Sequence, residues 1–293
     1  MTVFAVVVRE RSFTRAARAL GVSQPSVSAR IQRLESQLGE PLFERVGRGV
    51  RLTPTGETLR PVAERVLGLA QESSDVIAGI AGLDRGHIRG AASTTIAGYI
   101  LPAVIARFAA EHPRVEIDVR VGNTSVVAAA VERGHAAWGL VEGPVDSGQF
   151  DVTRFLDDEL ILVVPVGHEW AARRRIDVEV LRDAPFVARE PGSGTSAIYE
   201  TALAARGVRI RPRIRLAHSR GIVAAVADGA GVAIVSALVA APLVDARRLV
   251  RVLIDGVDLS RPLNIIMRPN RSVSRLDASF LDVLQTTPIG QFD

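Results

Sequence analysis

Two residue types are missing from this 293-residue sequence, which contains neither cysteine nor lysine. Without cysteine the chain forms no disulfide bond and no thiolate metal site, which is typical of proteins from a reducing compartment. Without lysine, its 36 basic side chains are all arginine, whose planar guanidinium group suits phosphates and guanine edges. Aromatic residues make up only 4% of the chain, so the cores must consist of valine, leucine, isoleucine and alanine.

Long apolar runs are missing as well, since none reaches the roughly 18–20 residues of a membrane span. The run at 3–8 is short and is followed at once by Arg9 and Glu10, unlike the apolar part of a secretory signal peptide. We therefore expect a cytoplasmic protein with no membrane partner. The length of the chain predicts roughly two domains.

Positive charge is concentrated near the N-terminus. Residues 1–60 contain ten arginines and five acidic residues, a net charge of +5. Because the whole chain carries +4, residues 61–293 sum to −1, which is +4 minus +5. A basic end attached to a neutral remainder is expected where only that end meets phosphate groups.

Residues 12–38 show the pattern of two short helices joined by a tight turn. Ser12 or Thr14 is predicted to cap the first helix, and Gly21 to end it. Ser23 and Pro25 are typical of the start of the second helix. Apolar residues then recur at helical spacing, forming a buried stripe: Val27, Ile31, Leu34 and Leu38. This is the pattern of a helix-turn-helix, whose second helix enters the major groove of DNA.

The other face of the second helix and a predicted β-turn at 46–52 supply candidate DNA contacts. Short hydroxyl side chains allow close approach, and arginines reach bases or phosphates. The predicted DNA-binding residues are Thr14, Gln24, Ser26, Ser28, Arg30, Arg33, Arg48 and Arg51. The alternative is a generic three-helix domain whose serines and arginines are merely solvated, but helix caps, glycine breaks, β-turn and charge together favour DNA binding.

A long helix is predicted to follow the β-turn, with Thr53 as its cap and Pro54 in its first turn. Apolar positions along it step by three and four: Leu59, Val62, Val66, Leu69, Ser73, Val76, Ile80 and Leu83. This heptad pattern predicts pairing with a second helix, and a homodimer would let two helix-turn-helix units bind two half-sites. The alternative is that the seam packs on its own chain.

From residue 87 onward, predicted strands alternate with predicted helices, which favours parallel-rich sheets. The predicted strands are 88–92, 115–121, 137–141, 160–166, 185–187, 210–216, 232–235, 249–254 and 263–267. The predicted helices are 96–111, 125–133, 196–206, 221–228 and 273–287. We expect the last strand and helix to return to the first half, giving two α/β lobes joined by crossing strands.

Small polar residues follow four of these strands and open the next helices, at 93–95, 123–125, 192–196 and 218–219. Ligands of open α/β sheets bind at the carboxyl ends of strands, and helix N-termini favour anions. Each junction alone has the alternative of an ordinary helix cap. Together the four predict a cleft for a small anion such as a carboxylate, with Arg189 and Arg220 nearby for charge pairing.

Two other classes of protein are weaker hypotheses. Ser193, between two glycines, is the best candidate for a catalytic nucleophile, but no base is recognisable near it and there is no G-x-S-x-G or P-loop motif. The five histidines are not spaced as metal ligands. We therefore predict no catalytic residue, no metal and no cofactor. A transporter's solute-binding protein would share the two lobes, but the basic helix-turn-helix end argues against it.

The chain resembles the LysR-type transcriptional regulators over nearly its whole length. The specific match is SFTRAARALGVSQPSVSARIQRLESQLGEPLFER followed by RLTPTG, and the later segments REPGSGT and GAGVAIVS are similar in outline. The resemblance implies a winged helix-turn-helix, a dimerising linker helix and a two-lobed α/β effector-binding domain resembling periplasmic binding proteins. Their expected bounds are 1–54, 55–86 and 87–293, with lobe 1 at about 87–160 and 265–293 and lobe 2 at about 161–264.

The resemblance also implies the function and the partners. We expect a sequence-specific transcriptional regulator, not an enzyme, controlled by a small anionic inducer bound between the lobes. The implied effector-binding residues are Ser93, Thr94, Asn123, Thr124, Gly194, Thr195, His218 and Ser219. The implied partners are double-stranded DNA, the inducer, a second copy through the linker helix, a homotetramer of such dimers, and RNA polymerase. Phe4 occupies a mid-helix position of the family's first helix, so a first helix shortened by a few residues is expected.

Overall fold

The computed structural model describes residues 1–46, 49–80, 86–270 and 273–288; for residues 45 and 71–80 only the backbone is described. The chain forms two compact units. The first unit comprises Met1–Ala78 and Glu132–His135, and the second comprises Gly79–Val131 and Ala136–Asp293. Among the described residues, no helix combines the length and the apolar character needed to cross a membrane.

The first unit contains four helices and a two-stranded hairpin among its described residues. Its elements are α1 (Thr2–Glu10), α2 (Phe13–Ala19), α3 (Gln24–Leu38), β1 (Phe43–Val46), β2 (Gly49–Leu52) and α4 (Pro54–Ile80). Ser12, rather than Thr14, caps α2 by accepting a hydrogen bond from the Arg15 N–H. Ser23 caps α3 as predicted, and Gly21, with a φ of 64°, takes the left-handed conformation in the turn between them.

The core of the first unit joins the first three helices to the hairpin. Phe4, Val27 and Ile31 are buried in it, and the ring of Phe43 lies 5.2 Å from that of Phe4. The prediction that Leu38 belongs to the buried stripe is wrong, because 46% of Leu38 is exposed. The core covers the first turns of α3 and does not extend to its last turn.

Helix α4 begins where the sequence predicted, since Thr53 Oγ1 accepts a 3.1 Å hydrogen bond from the Gly56 N–H. The apolar residues predicted to form one seam along α4 differ in burial. Leu59 packs against the core of the unit, whereas Val62 and Leu69 are 50% and 53% exposed. The side chains of the seam at 73, 76 and 80, and residue 83, lie outside what the structure describes.

The second unit alternates strands and helices as expected. Its elements are β3 (Gly86–Ser93), α5 (Thr94–Tyr99), α6 (Leu101–Glu111), β4 (Val115–Gly122), α7 (Thr124–Glu132), β5 (Trp138–Val141), β6 (Asp151–Pro165), α8 (Glu169–Arg173), β7 (Arg175–Ile176), a 3₁₀ helix (Val178–Asp183), β8 (Val187–Arg189), α9 (Gly194–Ala204), β9 (Ile214–Leu216), α10 (Ser219–Ala227), β10 (Ala233–Ser236), α11 (Ala237–Asp245), β11 (Leu249–Ile254), β12 (Ser260–Met267) and α12 (Arg275–Thr286).

The main sheet has the strand order β4-β3-β5-β12-β6-β11-β7, with β10 also paired to β6. Strand β3 is parallel to β4 and β5, and β12 runs antiparallel between β5 and β6. The long strands β6 and β12 thus connect two halves. One core packs β3 and β5 against α6 and α12, and we call this half the β3 lobe. Two further cores surround β8, β10 and β11, and we call this half the β8 lobe. The return of the last strand and helix to the first half is confirmed.

Several predicted boundaries are wrong for identifiable reasons. The helix predicted at 96–111 is two helices, because Pro102 follows Leu101 at the start of α6 and proline lacks the N–H that a continuous helix needs. The strand predicted at 160–166 begins at Asp151, where its polar first half pairs with β12. The strand predicted at 210–216 is confined to β9 behind Pro212, and the one at 185–187 is β8. Helices α8 and α11 were not predicted, and α11 has no polar face to give a periodic pattern.

Candidate functional site

A polar groove on the first unit lies between α2, α3 and the β1–β2 hairpin. It has a volume of about 400 Å³, and its lining includes Thr14, Gln24, Ser28 and Phe43. Gln24 Nε2 donates a 2.9 Å hydrogen bond to Ser28 Oγ, so both side chains are oriented before anything binds. Three of the predicted DNA contacts therefore meet at one surface.

The other predicted contacts on α3 lie outside this groove. Ser26 is exposed, and its Oγ lies 2.9 Å from the Oγ of the capping residue Ser23. Arg30 and Arg33 are exposed on α3, where their guanidinium groups are available for phosphates. The first turn of α3 therefore offers short hydroxyls and the middle offers cations.

The hairpin holds the remaining predicted contacts. Arg51 is exposed and its Nε donates to Glu44 Oε1 at 2.7 Å, while Arg48 lies outside the described residues. Glu35 on α3, which carried no sequence signal, fixes the hairpin. Its Oε1 accepts from two backbone N–H groups at the start of β1, at 2.7 and 3.3 Å. The spacing between α3 and the hairpin is therefore set by a side chain that the sequence did not single out.

In the second unit, the predicted polar strand ends lie where β3, β4 and β8 end. Ser93 is 1% exposed and caps α5 by accepting from the Ile96 N–H. It pairs with Gly122 at the end of β4, next to Asn123, whose Oδ1 accepts from the Val126 N–H. These residues act as helix caps, and they also lie at the carboxyl ends of the strands, the edge at which open α/β sheets bind ligands.

The two lobes touch through backbone at this edge. A β-carbon on Gly194 would lie 2.5 Å from both the Gly143 Cα and the Thr124 Oγ1. Real β-carbons do not approach so closely, so glycine is required for this contact. Ser125 adds a hydrogen bond across the lobes, since its N–H and its Oγ each lie 3.4 Å from the Gly192 carbonyl oxygen. The structure thus brings Asn123, Thr124 and Gly194 together.

Arg189 and Glu190 form a network that reaches both lobes. Arg189 is 2% exposed; its Nε and Nη2 donate to the two carboxylate oxygens of Glu190 at 2.8 and 2.9 Å. Its Nη1 donates to Ser219 Oγ at 2.8 Å. Across the lobes, Asn123 Nδ2 donates to Glu190 Oε1 at 3.1 Å. Burial alone would raise the pKa of Glu190, but the hydrogen bonds, with those from Arg189 the largest, hold it below the ordinary value.

A second buried network joins the crossing strands to helix α9. Arg261 on β12 donates through Nε and Nη2 to Asp158 Oδ2 on β6, at 2.9 and 2.6 Å. Its Nη1 donates to Thr195 Oγ1 at 2.9 Å, and Ser236 donates to the other oxygen of Asp158 at 2.9 Å. The Arg261 and Asp158 side chains are 0% and 2% exposed. Thr195 and Ser219 therefore each accept from a buried guanidinium group.

Some polar atoms at the strand ends lack partners within the described residues. Thr94 Oγ1, Thr124 Oγ1 and Glu142 Oε2 are buried without a hydrogen bond, and unpaired buried polar groups are costly. His218 is exposed, unlike Ser219 beside it. No group of three or more metal-binding side chains occurs in the described part of the chain.

Comparison of the sequence with known families identifies the family of this chain. Residues 1–57 match the bacterial regulatory helix-turn-helix protein of the lysR family, and residues 81–288 match the LysR substrate binding domain. This chain belongs to the LysR family. It is a DNA-binding transcriptional regulator with a small-molecule-binding domain, and the relatives it matches are named regulators rather than enzymes.

Three comparisons place this LysR-family protein among known ones. It is 31% identical over 283 residues to the HTH-type transcriptional regulator CysL of Bacillus subtilis, covering 97% of this chain and 95% of that one. A full-length OxyR variant from Pseudomonas aeruginosa shares its fold, with a TM-score of 0.72 at 22% identity, over 97% and 91% of the two chains. The regulatory domain of Synechocystis PCC6803 CcmR, solved in complex with 2-PG, matches with a TM-score of 0.63 at 25% identity, over 69% of this chain and 96% of that one.

Proposed function

We propose that this regulator acts in the cytoplasm and that a small carboxylate, bound at the strand ends of the second unit, controls its binding to DNA. The proposal that the ligand is a carboxylate rests on the hydrogen bonds of two hydroxyl groups in the β8 lobe. Thr195 accepts a hydrogen bond from Arg261, and Ser219 accepts one from Arg189. Each hydroxyl keeps its own hydrogen to donate to a carboxylate oxygen. The guanidinium group that donates to it, although already paired with Asp158 or Glu190, strengthens that donation through the chain of hydrogen bonds.

The β3 lobe supplies the other half of the proposed site. Ser93 and Thr94 lie at the end of β3, and Asn123 and Thr124 at the end of β4. The hydroxyls of Thr94 and Thr124, which have no hydrogen-bond partner among the described residues, would then bind the ligand from the opposite side. Gly194 permits the close approach of the lobes, and the exposed side chain of His218 would contact the ligand from the rim. The CcmR regulatory domain, a relative in fold, was solved with a small ligand, 2-PG.

The proposed DNA contacts follow the surface of the first unit. Thr14, Gln24 and Ser28, which line the same groove, would meet base edges, with Ser26 allowing close approach. The arginines would neutralise phosphates: Arg30, Arg33, Arg48 and Arg51. We assign DNA binding to residues 1–54, dimerisation to 55–86 and effector binding to 87–293, with lobes at about 87–160 with 265–293 and at about 161–264.

The proposed assembly is a homodimer through α4, with two dimers forming a tetramer that contacts RNA polymerase on DNA. Exposure of Val62 and Leu69 on α4 supports the pairing, because a seam of large apolar residues at heptad spacing is stabilised by a second helix. Two helix-turn-helix units would then bind two half-sites on one face of the duplex.

The test uses DNA from upstream of the protein's own coding region, located by footprinting and then titrated at several salt concentrations. Arg30→Ala and Arg33→Ala should each weaken binding and lower the salt slope by about 1, because each removes one phosphate contact. Arg251→Ala, an exposed arginine of the second unit, is the matched control and should bind normally. Unchanged affinity and salt slope in both α3 variants would contradict the assignment.

The effector half is tested separately with Thr195→Val. The variant should bind the operator like the wild type but lose the response to the small carboxylate that shifts wild-type binding, since valine has no hydroxyl to donate. A Thr195→Val variant that responds normally would show that the ligand binds elsewhere.

A further inference from the structure

We propose that Glu190 is an internal competitor of the effector: its carboxylate occupies an anion-binding site built by Arg189 and Asn123, and the carboxylate of the effector replaces it there. This inference rests on the proposed function only in taking the effector to be a small carboxylate.

The site already has the form of a carboxylate receptor. Two N–H groups of Arg189 bind the two oxygens of Glu190 side by side, at 2.8 and 2.9 Å, and Asn123 adds a third donor from the opposite lobe at 3.1 Å. This paired geometry is the one in which arginine recognises carboxylates most strongly. Any carboxylate that reached these donors would be bound in the same way.

The two partners differ in their freedom to leave. The Arg189 side chain is 2% exposed, whereas that of Glu190 is 24% exposed. Arg189 is also anchored by its Nη1 hydrogen bond to Ser219. A buried guanidinium group left without an anion is strongly unfavourable, so Arg189 requires a carboxylate at all times. Exchange therefore consists of Glu190 turning out to solvent while another carboxylate takes its place.

Position and space support the exchange. Arg189 ends β8, Asn123 follows β4, and Ser219 opens α10, so the three converge at strand ends, where α/β proteins bind ligands. A cavity of about 310 Å³ adjoins the site, and its lining includes Glu190, Ser193, Glu200 and Arg215. That volume matches the lower end of small-molecule sites.

The exchange also gives a physical link between ligand and lobes. Glu190 belongs to the β8 lobe and accepts from Asn123 of the β3 lobe, so it ties the lobes together without ligand. An effector that displaces Glu190 would join Arg189 and Asn123 in its place, and the length and shape of the effector would set the distance between these two groups. The geometry between the lobes then depends on the molecule that is bound.

The test measures carboxylate affinity of the full-length protein by calorimetry and by the shift of Tm, with glycolate and oxalate as probes and chloride as the reference anion. Glu190→Gln removes the competing charge, and we expect at least about tenfold tighter carboxylate binding, equivalent to about 1.4 kcal/mol. In chloride its Tm should fall, and added carboxylate should restore it by filling the vacated site. Glu190→Asp, which withdraws the carboxylate by one methylene, should show an intermediate affinity and serves if the first variant folds poorly.

Glu200→Gln is the matched control, because Glu200 lines the same cavity and its loss changes the net charge equally, while the Arg189 pair is untouched. It should change the affinity by less than about twofold, a difference of about 0.4 kcal/mol. Equal gains in both variants would show a general charge effect and overturn the proposal. So would a Glu190→Gln variant that binds carboxylates no better than the wild type, or binds none.

Carboxylate affinity is measured in the absence of DNA, so this experiment can contradict the internal competitor without contradicting the proposed function, and the reverse. Carboxylate exchange at Glu190 without any effect on operator binding would contradict the proposed function alone. Operator binding that responds to carboxylates, with equal affinity in wild type and Glu190→Gln, would contradict the internal competitor alone.

Discussion

Replacing Arg261 by methionine should destabilise the second unit strongly. In the wild type, Arg261 and Asp158 form an ion pair whose side chains are 0% and 2% exposed. The two residues lie opposite each other in the register of the crossing strands β12 and β6. Methionine fills the volume of the arginine stem but leaves Asp158 buried with Ser236 as its one remaining hydrogen-bond donor among the described side chains. Thr195 loses its donor as well.

The magnitude follows from burial. Removing one partner of a buried ion pair costs about 3–5 kcal/mol, because the other charge stays out of water without compensation. For a unit of this size the corresponding fall in Tm is about 10 °C. The double variant Asp158→Leu with Arg261→Met removes both charges, and its free energy of unfolding should lie within about 2 kcal/mol of the wild type.

The assay is urea unfolding followed by circular dichroism, with calorimetry for Tm. Arg251→Met is the matched control, since Arg251 pairs with Glu159 on the same sheet but the two side chains are 42% and 48% exposed. Such exposed pairs contribute about 0–1 kcal/mol. A loss below about 1 kcal/mol in Arg261→Met, or a double variant less stable than that single variant, would refute the reasoning.

Two further predictions concern the lobe contact and the tyrosines. Gly194→Ala should weaken carboxylate binding by about tenfold, or about 1.4 kcal/mol, because its β-carbon would lie 2.5 Å from Gly143 Cα. Gly98→Ala is the control, since an added β-carbon there would meet no other part of the described structure within 4 Å. Equal affinities of the two variants in a calorimetric titration would contradict this. Burial raises the pKa of Tyr199 to about 12 and also raises the pKa of Tyr99, the other tyrosine. The absorbance of tyrosinate at pH 10 should therefore be lower in the folded protein than in the unfolded protein. Stability should fall as the pH rises from 10 towards 12, because only the unfolded state ionises Tyr199 there. Ionisation at pH 10 without unfolding, or an unchanged profile in Tyr199→Phe, would contradict it.

Much of the first unit could be predicted because its signals are local. Ser12 and Ser23 cap helices through hydrogen bonds three residues along the chain, and Gly21 takes a backbone conformation that glycine favours by itself. The alternation of strands and helices in the second unit is equally local, and it placed Ser93 and Asn123 at strand ends. Leu38 was misjudged because periodicity indicates which face points inward but not how far the core extends.

Sequence alone determined the helix-turn-helix, the order of the elements and the polar strand ends, because caps, turns and apolar periodicity act between residues a few positions apart. Tertiary structure alone decided which charges meet. Asp158 pairs with Arg261, 103 positions away, and Asn123 reaches Glu190, 67 positions away. The sequence predicted that Arg189 lies near the cleft but not that it is buried, and Glu142 carried no signal; both are buried. Such contacts depend on strand register and lobe packing, which no local pattern encodes.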